Sequence, residues 1–192
     1  MFSKSSFSEI KQSVMNRLKK AGTHLTYHNL AHTLDVAEQA ERIASEEKIS
    51  EPDKLLLQIA ALYHDIGYLD GPQNHEPRGC ILFAGEAPQW NFSSAEIETV
   101  QRLIRATKVP QTPKDKLEEI ICDADLDYLG RQDFRTLGAG LKKEYLHFGV
   151  VKNVAEWEEK QIHFLQKHRY FTQSSKKLRE PRKQENLRLL LS

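Results

Sequence analysis

Apolar positions recur along this chain at three- and four-residue intervals and almost nowhere in strict alternation, so the pattern predicts helices throughout and no strands. Ile10, Val14 and Leu18 fall four apart, as do Leu30 with Leu34 and Val36 with Ala40, with Ile43 close behind. Each set forms one helix face. Pro52 stands just after Ser50, where a helix would start, and the run over 54–66 is apolar on most sides. That run predicts a central buried helix ended by Gly67. Residues 70–78 collect Gly71, Pro72, Asn74 and Pro77 and read as an ordered loop, followed by a short helix near 79–85.

Ser93 or Ser94 with Glu96 or Glu98 resembles a helix start, and Ile97, Val100, Leu103 and Ile104 supply the stripe of a helix that ends near Val109 and Pro110. Pro113 opens the next, which carries Leu117, Ile120, Ile121 and Leu126. Two more amphipathic helices are predicted over about 133–148, with Leu137, Leu141 and Tyr145, and over 154–167, with Trp157, Ile162 and Leu165. Residues 174–192 mix Lys176, Lys177, Arg179, Arg182, Lys183 and Arg188 with Leu178, Leu187, Leu190 and Leu191 and read as a solvated, partly docked terminal helix. Glu180 and Glu185 dilute its charge and no aromatic residues interleave for base stacking, which argues against a nucleic-acid arm.

Composition narrows the class without choosing a partner. At 192 residues the chain fits one domain, or one domain with a helical tail. Charged residues make up 29% and hydrophobic ones 39%, and 28 Lys+Arg against 27 Asp+Glu leave a formal charge of +1. No general field for nucleic acid or an anionic bilayer follows from that balance. Cys80 and Cys122 read as free thiols, and a reducing cytoplasm is the expected compartment. Residues 1–10 are Ser-rich and polar with no apolar signal core, and no apolar run approaches the ~20 residues that span a bilayer. Neither a signal peptide nor a membrane helix is expected, and a homo-oligomer stays open.

Three segments carry candidate chemistry. His28 and His32, four apart, would share one helix face, so one could bind metal while the other touches substrate; both could equally be hydrogen-bonded structural histidines. His64-Asp65 puts an ionisable pair at the end of the most apolar helix, where burial is costly unless the pair is coordinated or hydrogen-bonded. Imidazole beside carboxylate suits a borderline or hard divalent ion. Asp123, Asp125 and Asp127 alternate on a further helix, so at most one or two face a site and the rest are expected to be solvated.

The order His, then His-Asp, then Asp, each on its own helix, resembles the HD superfamily of metal-dependent phosphohydrolases. His32-Thr33-Leu34-Asp35-Val36 is similar to that family's first His segment, His64-Asp65 to the pair that names it, and Ala124-Asp125-Leu126 to its closing Asp. Tyr27-His28-Asn29 resembles the His-Asn segment of cyclic nucleotide phosphodiesterases, in which the His meets the leaving oxygen. Residues 61–68, 75–78, 103–108 and 122–130 look like a bacterial subgroup of predicted HD phosphohydrolases.

The resemblance implies an all-α, single-domain helical bundle with the metal site between its central helices. An N-terminal helix over 1–22 would pack on a core over 23–131, and helices over 132–192 would complete the bundle and end in a basic tail. His32, His64, Asp65 and Asp125 would hold one divalent ion, with Mn, Mg, Fe, Co, Ni and Zn not distinguished. A second ion could draw on His75, Glu76 or Asp70, although the adjacent His pair of some two-metal HD families is missing. His28 would be the general acid. Lys108 and Arg105 would contact phosphate, with Arg78 and Arg102 weaker candidates and Glu76 also able to orient water or pair with Arg78. The implied reaction is hydrolysis of a nucleotide or related small phosphate ester, mono- or diester. The alternatives are a non-catalytic metal-containing nucleotide sensor or signalling partner, and a helical interaction protein with structural His and Asp residues.

Overall fold

A computed structural model describes residues 4–192; the first three residues of the polar N-terminal segment, and with them the start of the expected 1–22 helix, lie outside the described residues. Among those described, nine α-helices and three short 3-10 turns occur and no strand does. The helices are α1 (Lys4–Leu18), α2 (Leu30–Glu46), α3 (Glu51–Tyr63), α4 (His75–Glu86), α5 (Ser94–Ala106), α6 (Lys116–Asp125), α7 (Phe134–His147), α8 (Val154–Lys167) and α9 (Gln173–Leu191). No helix is long and apolar enough to cross a membrane.

The central position of α3 follows from its sequence. Leu57, Ile59, Ala60, Ala61 and Leu62 are buried around its whole circumference, and it packs on α1, α2, α5 and α6. Each large side chain among them contributes about 1.5–3 kcal/mol by leaving water. Ser50 caps its start, its hydroxyl accepting from the Asp53 N–H, and Pro52 sits in the first turn, where no intrahelical N–H is lost. A separate apolar cluster of Tyr27, Leu126, Tyr128, Leu129, Phe134 and Leu165 joins the C-terminal helices to the site end of the bundle.

Several boundaries differ from the sequence expectation. The central helix ends at Tyr63, and the chain tightens into a 3-10 turn over Ile66–Asp70 instead of running on to Ile66. The 70–78 loop is shorter than its composition suggested. Asn74, in the left-handed region at φ 54°, turns the chain directly into α4, and Pro77 occupies the first helical turn, where proline costs no hydrogen bond. His75 and Glu76 are therefore helical residues. Ser93 and Glu96 form a full capping box at the start of α5, but that helix stops at Ala106, short of Pro110. Helix α6 begins at Lys116, three residues later than Pro113, after Asp115, whose carboxylate accepts from the Glu118 N–H.

The largest correction concerns Asp123 and Asp127, which are buried rather than solvated. Asp123 accepts hydrogen bonds from the Phe171 and Thr172 N–H groups, both at 2.8 Å, and from the Thr172 hydroxyl at 2.7 Å. Asp127 accepts from Arg42 at 2.9 Å and Arg179 at 2.8 Å. A buried carboxylate needs such donors, and here the C-terminal segment supplies most of them. Helix α9 is accordingly docked, with Lys183 buried and its Nζ donating to the His168 carbonyl at 2.7 Å.

Candidate metal centre

Four side chains from three helix ends converge. Asn29 caps α2, its side-chain oxygen accepting from the Ala31 and His32 N–H groups, and so sets His32 in the first turn. His64 and Asp65 leave the C-terminal end of α3, and Asp125 is the last residue of α6. Two of the three ends are helix C-termini, where orphan carbonyls favour positive charge. His32 Nε2 lies 3.2 Å from Asp65 Oδ2 and 3.5 Å from Asp125 Oδ1; His64 Nε2 lies 3.0 and 3.4 Å from the same two oxygens. One ligand atom from each of the four lies within 4.8 Å of all the others.

Those contacts are close but not aligned as hydrogen bonds: Nε2 of His32 and Nε2 of His64 are buried without a hydrogen-bond partner. Buried polar atoms are rarely orphaned. Lone pairs aimed at a shared centre rather than at one another are what a coordinated ion requires, and two imidazoles with two carboxylates form a donor set for a divalent metal. Nδ1 of His64 lies 2.7 Å from the Ala61 carbonyl, which fixes that nitrogen as the N–H and leaves Nε2 facing the cluster. Gln111 donates to Asp125 Oδ2 at 3.3 Å and steadies the last member of the cluster. Burial opposes protonation of His32 and His64, yet the Asp65 and Asp125 carboxylates outweigh it and raise both imidazole pKa values. Burial likewise raises Asp65, but His64, His28 and His32 prevail and hold it well below the usual carboxylate range.

A second group faces the other oxygen of Asp65. His75 Nε2 is 3.4 Å from Asp65 Oδ1 and 3.5 Å from Glu76 Oε1, while its Nδ1 meets the Pro72 carbonyl at 2.9 Å. The close crossing that brings α4 here depends on Gly67, since a Cβ there would collide with the backbone of His75. Asp70, in contrast, is exposed and makes no part of the cluster.

His28 also faces the cluster, with Nε2 3.8 Å from Asp65 Oδ2, but the helical spacing to His32 is not the reason. It precedes the Asn29 cap and lies outside α2. Its orientation comes from Glu144 on α7, a fully buried carboxylate that contacts His28 Nδ1 and accepts from the backbone N–H groups of Tyr27 at 2.9 Å and His28 at 3.1 Å. Gly140, one turn earlier, lets α7 approach the Thr26 carbonyl. Tyr68 stacks on the His28 ring at 3.7 Å, only 9° from parallel.

The cations divide. Lys108 lines the cavity in front of the cluster and has no carboxylate within ion-pair distance among the described residues. Arg105 turns instead toward Cys80, 3.8 Å from its sulfur, and is absent from the cavity wall. Arg78 donates to the Gly67 carbonyl at 3.1 Å and to that of Gly71, fastening the loop, and Arg102 pairs with Asp115 and Glu118 at the start of α6. Sequence reasoning missed Glu144, Tyr68 and Gln111. Glu144 follows Lys142 and Lys143 in a stretch that reads as a solvated helix face, and nothing in its spacing links it to His28.

The described residues form an all-helical bundle with a His and Asp cluster at its helix ends that could hold a metal ion. Residues 29–127 match the HD domain family, and the chain belongs to that family. No curated protein matches it. Among solved structures, a predicted HD superfamily hydrolase from an uncultured Thermotogales bacterium superposes with a TM-score of 0.66 at 23% identity, over 96% of this chain and 88% of that one. A protein from Lactobacillus plantarum superposes with a TM-score of 0.70 at 18% identity, over 99% of this chain and 95% of the other. Both share the fold.

Proposed function

We propose that this protein is a metal-dependent phosphohydrolase or phosphodiesterase acting on a nucleotide or related small phosphate ester. The observation that carries the reading is the pair of buried, unpartnered imidazole nitrogens, His32 Nε2 and His64 Nε2, facing Asp65 and Asp125. Those four residues would hold the ion, and Asp65 Oδ1 with His75 and Glu76 would hold a second. A divalent ion bound there supplies Lewis acidity toward phosphoryl oxygens and lowers the pKa of water toward ~7.

The remaining roles belong to the chain itself. Glu144 holds His28 by Nδ1, so Nε2 is the nitrogen presented to the cavity. From there His28 donates a proton to the departing oxygen as the ester bond breaks. Lys108 contacts a non-bridging phosphate oxygen. Tyr68 and Tyr145 remain neutral, burial first and then the nearby carboxylates raising both phenols, Tyr145 to about 12, so they bring no competing negative charge to an anionic substrate.

A panel of nucleotides, cyclic and linear diesters and simple monoesters, assayed with Mn²⁺, Mg²⁺, Co²⁺, Ni²⁺ and Fe²⁺, tests the reading. Phosphate release or diester cleavage on at least one compound is expected. Absence of any hydrolysis by protein shown to bind metal would overturn it.

A further inference from the structure

The cavity in front of Asp65 extends well past the space a phosphoryl group needs. Its volume is about 520 Å³, and its far wall comes from the end of α7 and from α8, beyond the stretch matched to the family. That wall presents Tyr145, Trp157 and Phe164, with the Gln161 amide and the Lys160 ammonium among them. Tyr145 and Trp157 meet edge to face at 5.7 Å and 86°, which fixes both ring planes at the cavity wall. Lys160 has no carboxylate within ion-pair distance among the described residues, although Glu156 and Glu159 share its helix. Aromatic rings, one amide able to donate and accept, and a free cation together suit a planar heteroaromatic group joined to an anion.

We infer that the α8 wall is a base-binding subsite: the nucleobase of a nucleotide lies against Trp157, Tyr145 and Phe164, and Gln161 hydrogen-bonds its edge. This rests on the phosphohydrolase reading for the placement of the phosphate, whereas the subsite has its own readout. Trp157 is one of two tryptophans, and the other, Trp90, is buried in the separate, larger apolar core, in the short turn that follows α4. In a Trp90→Phe protein, emission therefore reports on the cavity wall alone.

The experiment titrates that full-length protein with the four common nucleoside 5′-monophosphates, with ribose 5-phosphate and with inorganic phosphate, and repeats the series in Gln161→Ala. At least one nucleotide is expected to perturb Trp157 emission and to bind about tenfold or more tightly than ribose 5-phosphate, the order that base stacking on aromatic rings supplies. Gln161→Ala is expected to weaken that nucleotide several-fold and leave ribose 5-phosphate unchanged. Equal affinity for ribose 5-phosphate and every nucleotide, or an unaltered Kd in Gln161→Ala, overturns the subsite. Hydrolysis without base discrimination refutes the subsite and leaves the phosphohydrolase reading standing; base-selective binding without hydrolysis of any ester does the reverse.

Discussion

The stretch matched to the family and the helices that follow it contribute different things to one cavity. Residues 29–127 carry His32, His64, Asp65 and Asp125 and bring them together at helix ends, a geometry that suits a divalent ion. Helices α7 and α8 contribute no member of that cluster, but they orient His28 through Glu144 and line the outer wall with Trp157, Gln161 and Phe164. On the proposed reading, capacity for chemistry resides in the first region, and orientation and selectivity in the second. An activity assigned from the first alone would leave substrate choice undetermined, because the residues of the cavity's outer wall belong to the second.

Substitutions in the two regions should therefore fail differently. Asp65→Ala is expected to have the largest effect, with metal content falling to background by elemental analysis and kcat/KM falling on the order of 10³-fold or more. His28→Ala should retain the metal and lose kcat by roughly 10²–10⁴-fold, the usual worth of a general acid; loss of the ion in that variant would move His28 into the ligand set. Glu144→Gln should keep both metal and KM while kcat drops about 10–100-fold, as for residues that orient a functional imidazole. Full activity in Glu144→Gln would return that carboxylate to a structural role and blur the division. Lys108→Ala should do least, raising KM by about three- to tenfold with kcat and metal unchanged, since an exposed cation is screened by solvent.

The same division decides what could be read from the sequence. The helical class, the central position of α3, the helix starts after Ser50 and at Ser93 or Ser94, and the order of the four cluster residues are local or periodic features, and each was legible. His28 was found for an incomplete reason, because its approach to the cluster depends on a cap and a distant carboxylate rather than on helical spacing. Glu144 lies 116 residues from His28, and no local pattern encodes a contact at that separation. Asp123 and Asp127 misled for the same cause: an Asp on a helix reads as solvated until the residues that donate to it, Phe171, Thr172 and Arg179, are placed beside it. His75 and Glu76 were named as candidates for a second ion, but their place at the start of a helix was hidden by Pro77, whose meaning differs between a loop and a first helical turn.

The grip on Asp123 and Asp127 also bears on how the protein is made. Asp125 sits between two carboxylates anchored by residues near the C-terminus, and the Asp127–Gly130 turn beside it is held by Asn186, which donates to the Leu129 carbonyl at 2.9 Å. A nascent chain emerges N-terminus first, so every residue of the cluster has been synthesised well before the segment that secures its last member. The site is finished only once residues 171–186 have emerged, and a fragment cut to residues 29–127 would carry His32, His64, Asp65 and Asp125 without the later donors that hold Asp123 and the Asp127–Gly130 turn.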